Sequence, residues 1–306
     1  MEFDPSVDLG RGLRLPNPIG VASGTFGFGF EAEEMGGVGH LGAIYSKGTT
    51  RLARAGNAPP RISETTAGML NSIGLQNPGV EVVAEDYAPR WVGWLAPVIV
   101  NVAGGTIADY VAVCERLDGV AGVAGLELNI SCPNIAHGLD FGTDPKAASA
   151  LVAAVREVTS LSVIVKLTPN VTDITEVARA VESSGADALS AVNTYVGMKV
   201  SLDQRGPVLP GAGTAGLSGP AIKPLALAVV AKLRQAVRIP VVGIGGIGSV
   251  RDALEFMVVG ADAVQIGTAN FYRPGLSREV VDGCLKFARE QGLRSWEELR
   301  WEQPGS

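Results

Sequence analysis

Gly122-Val123-Ala124-Gly125-Leu126-Glu127-Leu128 runs directly into Asn129-Ile130-Ser131-Cys132-Pro133-Asn134. The first part reads as a buried strand, and the second as a polar turn punctuated by proline. A strand that stops on Asn, Ser, Cys and Asn sets a thiol among amide donors at its carboxyl end. In α/β folds ligands sit at that end. A structural cysteine needs no such company, because it packs as a small hydrophobe. Cys114 and Cys284 fall in helix-like segments, so Cys132 is the thiol to which chemistry is assigned.

The same unit recurs on both sides of this stretch. Short runs rich in Val and Ile lie at 18–22, 43–47, 98–102, 125–130, 163–167, 188–193, 240–244 and 263–267. Most lack strict alternation, as expected for parallel strands covered on both faces. Amphipathic stretches such as 173–184, 221–237 and 249–259 lie between them. Strand and helix repeated in this way predict an α/β fold: a single (β/α)8 TIM barrel filling residues 1–306, with no linker. The main competitor is an open doubly wound sheet, and the even recurrence favours closure. Residues 1–15 read as an N-terminal hairpin turning at Gly10-Arg11-Gly12 and closing the barrel bottom. Segments 49–80 and 195–220 read as long irregular loops over the C-terminal face, where such loops serve as lids or walls.

Composition narrows the classes further. The 306 residues are 46% hydrophobic and 18% charged, enough for a large core, and the net charge of −6 offers no basic nucleic-acid surface. The first residues, MEFDPSVDLG, carry no signal pattern, and no apolar run is long enough to span a membrane. Three cysteines without paired spacing argue against a disulfide framework, so a cytoplasmic setting is expected. They are also too few for a self-contained iron–sulfur cluster, which takes about four thiolates.

Polar or glycine residues close every candidate strand: Ser23, Lys47, Asn101, Asn129, Lys166, Asn193 with Thr194, Gly245 with Gly246, and Gly267 with Thr268. One such residue is as well explained by a satisfied rim group. All of them at matching positions line one mouth, the face where barrel active sites lie. The last two units add bare glycine amides ahead of helices, which suits a phosphate cup for a mononucleotide. Gly243–Gly248 only superficially mimics a dinucleotide fingerprint, since no acidic ribose-binding residue follows. Lys47 and Lys166 sit in apolar strands, which is costly unless each meets an anion or an electron-rich ring; snorkelling is the bland alternative. Asn71-Ser72-Ile73-Gly74-Leu75 brings further amides from the second loop, whereas Asn77-Pro78-Gly79 suits ordinary turn chemistry. His40 reads as structural at the barrel bottom. His137 reads as an exposed loop residue, and no acidic cluster accompanies either, so no metal site is expected.

Taken together these motifs resemble class 1 dihydroorotate dehydrogenases over essentially the whole chain. The resemblance rests on Ala22-Ser23-Gly24-Thr25-Phe26-Gly27, Lys47-Gly48-Thr49-Thr50, Asn71 through Gly79, Asn129 through Asn134, Gly216 through Pro224, and Gly267-Thr268-Ala269-Asn270-Phe271. Lys47-Gly48-Thr49-Thr50 and Gly74-Leu75-Gln76-Asn77-Pro78-Gly79 look most like class 1B, the NAD-linked subfamily. The resemblance implies that dihydroorotate is oxidised to orotate in pyrimidine biosynthesis, with Cys132 as base. It implies one FMN held by Ser23, Lys47, Gly48, Asn101, Asn129, Lys166, Val192, Gly219, Gly245, Gly246, Gly267 and Thr268. Substrate would meet Lys47, Asn71, Ser72, Ile73, Gly74, Leu75, Asn129, Asn193 and Thr194. FAD and a 2Fe-2S cluster would belong to a separate electron-transfer subunit, in a heterotetramer built on a homodimer. Two alternatives stay open: a fumarate-linked class 1A enzyme working alone, and an FMN-binding barrel without turnover. The loop after Cys132 is about a residue shorter than the family's usual form.

Overall fold

The computed structural model describes residues 3–131, 141–203, 205–209 and 213–301. Eight parallel strands close into a barrel: β1 (Ile19–Val21), β2 (Ala43–Tyr45), β3 (Val98–Val102), β4 (Val123–Asn129), β5 (Ser162–Lys166), β6 (Ala188–Ala191), β7 (Val241–Ile244) and β8 (Ala263–Ile266). Each strand pairs with the next in sequence, and β8 returns to β1 through Val264 opposite Ile19. The open-sheet alternative is thereby excluded.

Alternation within the strands sorts the apolar residues into two cores. Outward-facing Val98, Val100, Val102, Leu126, Leu128, Val163 and Val165 join the layer under the helices. Inward-facing Ala43, Tyr45, Ile99, Ile164, Ala188, Val242 and Ala263 form a separate cluster inside the barrel with Leu9, Leu13 and Leu15. Both faces of each strand are thus apolar over much of its length, which explains the continuous hydrophobic runs.

The three leucines belong to the expected N-terminal hairpin. Val7–Asp8 pairs antiparallel with Arg14–Leu15. Gly10, Arg11 and Gly12 all take positive φ at its turn, a conformation that glycine adopts without steric cost. The Ser162 hydroxyl donates to the Leu9 carbonyl at 3.2 Å. Asp187 pairs with both Arg11 and Arg156, at 2.9 and 2.8 Å, binding the hairpin to the barrel floor.

The helices begin where side chains satisfy their free amides. Thr106 and Asp109 form a reciprocal capping box on Ile107–Leu117. Asp144, Asp173 and Ser249 cap Pro145–Arg156, Ile174–Ser183 and Val250–Val258. Because Gly243 has no Cβ, Phe256 can pack on β7; an added Cβ would lie 2.5 Å from the Phe256 ring.

The two long segments over the mouth are more ordered than irregular loops. Ile62–Thr65, Gly68–Asn71, Ala215–Ser218 and Tyr195–Gly197 build a four-stranded antiparallel sheet. Its central pairing joins the two insertions, with Gly216 opposite Asn71 and Ser218 opposite Met69. Strands of three or four residues are too short to show a period, and their partners lie far apart in sequence, so local patterning does not reveal them.

Replacing Leu9 by Ala should lower the stability of the fold by about 2–5 kcal/mol, because Leu9 is wholly buried in the barrel floor. Leu202→Ala, at a site 90% exposed, should change it by less than about 0.5 kcal/mol. Urea unfolding midpoints check both, and equal losses would contradict the floor packing.

Candidate active site

The carboxyl ends of the strands open into a cavity of about 710 Å³ beneath the four-stranded sheet, within the usual range for small-molecule sites. Ser23, Lys47, Gly48, Asn101, Asn129, Lys166, Val192, Gly219, Gly245, Gly246, Gly267 and Thr268 all line it. So do Asn71, Ser72, Ile73, Gly74, Leu75, Asn193 and Thr194. The structure therefore gathers in one place every candidate residue it describes. Cys132 and His137 lie outside the described residues, but Asn129 and Ser131, which lead into Cys132, are on the cavity wall.

Alternation explains the convergence. Tyr45 and Lys47 share the inward face of the second unit. Ile99 and Asn101 share that of β3, and Ile164 and Lys166 that of β5. In each of these three units the floor residue is followed two positions later by a polar residue nearer the mouth.

One side of the cavity is rich in glycine. Gly219, Gly245 and Gly246 all have positive φ, and a Cβ on Gly246 would come within 2.9 Å of the Gly219 carbonyl. The backbone N–H groups of Gly246, Gly267 and Thr268 make no hydrogen bond within the described residues. Bare amides in a cradle that a side chain would fill suit an anionic phosphate. The Thr268 hydroxyl donates to Ser218 at 2.8 Å. Asp252 steadies the following turn by accepting from the Gly248 amide and the Ser249 hydroxyl, and Lys223 braces Asp252 at 2.5 Å.

The other side carries amides. Asn129 Oδ1 accepts from Asn193 Nδ2 at 3.1 Å and from the Ser131 amide at 3.3 Å. The Tyr110 hydroxyl fixes the Asn129 carbonyl at 2.5 Å. Asn193 Oδ1 in turn accepts from the Thr194 amide at 2.8 Å. Val192 follows Ala191 through a cis peptide and donates its amide to Ile244. Asn71 Nδ2 donates to the Gly216 carbonyl across the covering sheet at 3.2 Å.

The two lysines differ. Lys47 is half-buried, and among the described residues its ammonium has no hydrogen-bond or ion-pair partner. Burial, reinforced by the Arg61 guanidinium, holds it below the usual lysine range. Lys166 is buried, with Nζ 3.8 Å from the Glu127 carboxylate. Glu127, Ser190 and Gln265, all fully buried beneath the cavity, are not marked out by the strand-end pattern. The available signal is a polar residue inside an otherwise apolar run, which for Glu127 also falls two places before the polar strand end Asn129.

Asn77 is a bracket rather than a ligand. Its Oδ1 accepts from the Thr50 and Gly79 amides, and its Nδ2 donates to Thr50 Oγ1 and the Leu75 carbonyl. It thereby ties the second loop to the segment after β2; the bonds to Leu75 and Gly79 fit the turn reading of Asn77-Pro78-Gly79, and those to Thr50 lie beyond it. His40 bonds Ser277 at 3.0 Å, far from the mouth, consistent with its structural reading.

Fold and cavity together define a (β/α)8 barrel with one deep, amide-rich and anion-ready site at its carboxyl mouth. The family model for dihydroorotate dehydrogenase matches residues 10–286. The catalytic subunit of dihydroorotate dehydrogenase B (NAD(+)) from Geobacter sulfurreducens is 50% identical over 297 residues, 97% of each chain. The protein of the same name from Desulforudis audaxviator is 50% identical over 94% of each chain. That from Listeria innocua is 48% identical over 95% of this chain and 96% of its own. The chain belongs to the dihydroorotate dehydrogenase family.

Asn77→Ala should cost several kcal/mol, since the buried Thr50 and Gly79 amides each lose a partner worth about 1–3 kcal/mol. A melting temperature within a degree or two of wild type would show that the bracket is dispensable.

Proposed function

We propose that this chain oxidises dihydroorotate to orotate in pyrimidine biosynthesis, as a single catalytic domain over residues 1–306. One observation carries the reading. The positions assigned to FMN and those assigned to substrate line the same cavity, with the glycine cradle on one side and the asparagine amides on the other. FMN fits this donor set: bare amides for its phosphate at Gly246, Gly267 and Thr268, and a buried Asn101 Oδ1 that has no partner among the described residues and faces Gly48. Ser23, Val192, Gly219, Gly245 and Lys166, which line the same cavity, would complete its enclosure. When bound, FMN supplies the acceptor for the hydride that leaves dihydroorotate C6.

The chain's own residues do the rest. Asn71, Asn129, Asn193 and Thr194 offer amide and hydroxyl groups to the ring carbonyls and carboxylate of the substrate. Backbone from Ser72 to Leu75 shapes the wall beside them. Lys47 has no carboxylate partner among the described residues and can therefore answer the substrate's anionic charge. Cys132 takes the proton from C5. A free thiol near its ordinary pKa of about 8.5 is mostly protonated at neutral pH, so the reaction would gain from a cation that favours the thiolate.

Electrons then pass to NAD through a separate subunit that carries FAD and a 2Fe-2S cluster, within a heterotetramer built on a homodimer. The relatives' shared name, a catalytic subunit of an NAD(+) enzyme, supports this over fumarate as acceptor. Cysteine arithmetic agrees: Cys114 and Cys284 are buried in helices, with burial pushing both thiols up to about 12. Among the described residues no helix is long and apolar enough to cross a membrane.

The purified chain should carry one FMN, and anaerobic dihydroorotate should bleach its visible absorbance without any partner present. Cys132→Ser should retain FMN and slow that bleaching by about 10²–10⁴-fold, the usual contribution of a general base. FAD or stoichiometric iron on this chain, or a flavin that dihydroorotate leaves oxidised, would overturn the reading.

Orotate affinity should fall as pH rises through the lowered Lys47 value, because the ammonium grips an anion only while protonated. The fall should therefore begin below the pH at which an ordinary lysine titrates. Lys47→Arg should flatten it, since guanidinium stays charged. Titration of the flavin difference spectrum with orotate measures this, and identical pH profiles for wild type and Lys47→Arg would remove Lys47 from the grip.

A further inference from the structure

Inside the barrel, between its apolar floor and the cavity, lies a polar layer centred on Glu127. The residue is 0% exposed. Its Oε1 accepts from Ser190 Oγ at 2.7 Å and from Gln265 Nε2 at 2.8 Å. Its Oε2 accepts from Asn101 Nδ2 at 2.6 Å and faces Lys166 Nζ at 3.8 Å. These side chains come from β3, β5, β6 and β8, so a single carboxylate gathers groups from four other strands of the barrel. Two of them, Asn101 and Lys166, also line the cavity.

This is a costly arrangement. A buried carboxylate is tolerated only when its oxygens are fully hydrogen-bonded or paired. A barrel floor alone would be served by apolar residues, as the layer below shows with Ile99, Ile164, Ala188, Val242 and Ala263. The lysine faces the acid as an ion pair without a direct hydrogen bond. At 3.8 Å Nζ lies beyond hydrogen-bond distance, between the carboxylate and the cavity.

We propose that Glu127 is a positioning residue for the reaction: it orients Asn101 and Lys166 towards the flavin and sets how much of the Lys166 charge the flavin feels. The proposal rests on the FMN reading above. A reduced flavin gains negative charge, so a cation beneath it raises the reduction potential. An anion behind that cation offsets part of its field, and the low dielectric of the barrel interior leaves the offset unscreened. The three neutral donors spread the carboxylate's charge and limit the offset.

The test is the midpoint potential of bound FMN, measured by spectroelectrochemistry on the full chain. Glu127→Gln keeps the shape and removes the charge. Its new N–H group can be met by Asn101, whose Oδ1 is buried and has no partner among the described residues, if that amide turns over. The potential should shift to more positive values. Ser190→Ala withdraws one donor from the carboxylate and concentrates its charge, so it should shift the potential the other way. Glu127→Asp retains the charge and should stay closer to wild type than Glu127→Gln does. Opposite shifts are not expected of a residue that only fills space. Should Glu127→Gln fail to fold, Ser190→Ala alone decides, and an unchanged or raised potential there overturns the proposal. Unchanged potentials in FMN-loaded Glu127→Gln and Ser190→Ala likewise overturn it while leaving the FMN reading intact. A wild-type chain that binds no FMN overturns both together.

Discussion

Closure of eight parallel strands is the constraint on which the rest of the structure depends. In a closed barrel every strand must show the same alternate residues to the interior. The register carries this around the ring, from Asn101 opposite Glu127 on β3 and β4, through Asn129 opposite Lys166 on β4 and β5, to Ser190 opposite Lys166 on β6 and β5. A one-residue slip in any strand would send its polar residues into the helix layer and its valines into the interior. The apolar floor, the polar layer and the cavity wall are thus three levels of one geometric pattern.

The floor lets the upper levels exist. Leu9, Leu13 and Leu15 fill the bottom of the barrel from the hairpin, so the interior strand residues there can be apolar and tightly packed. Above them the interior turns polar abruptly, and Glu127 collects the donors that would otherwise be stranded. Tyr45 shares this interior; burial, with the Glu127 charge nearby, raises its phenol far above the usual range. Function in this fold is concentrated where burial of polar groups is most costly, and compensation there is incomplete: Tyr45 Oη, Asn101 Oδ1 and Gln265 Oε1 have no hydrogen-bond partner among the described residues.

The covering sheet solves a different problem. A barrel mouth is open to water, and hydride chemistry needs a walled site. Two insertions distant in sequence pair along Gly68–Asn71 and Ala215–Ser218; at Gly68 their backbones approach too closely for a side chain, and at Gly216 the missing side chain leaves room for Thr194. A Cβ on Gly216 would lie 2.3 Å from Thr194 Oγ1, and one on Gly68 would lie 2.3 Å from the Ser218 carbonyl.

The sequence by itself determined the barrel, its hairpin floor and the set of residues at its mouth. Valine-rich runs, capped helices and polar strand ends are local patterns, and parallel strands buried on both faces produce them directly. The motif Asn129 through Asn134 likewise marks its strand end locally. Tertiary structure alone decided that 62–71 and 195–218 form one sheet, that Asn77 is a bracket, and that Glu127 lies under Lys166. Those facts depend on which residues face each other across the barrel or between insertions. Such pairings join positions tens of residues or more apart, as with Glu127 and Gln265, and no local period encodes them. Glu127 illustrates the difference most plainly. In the chain it is one acid within an apolar run, and only closure of the barrel surrounds it with donors from four other strands.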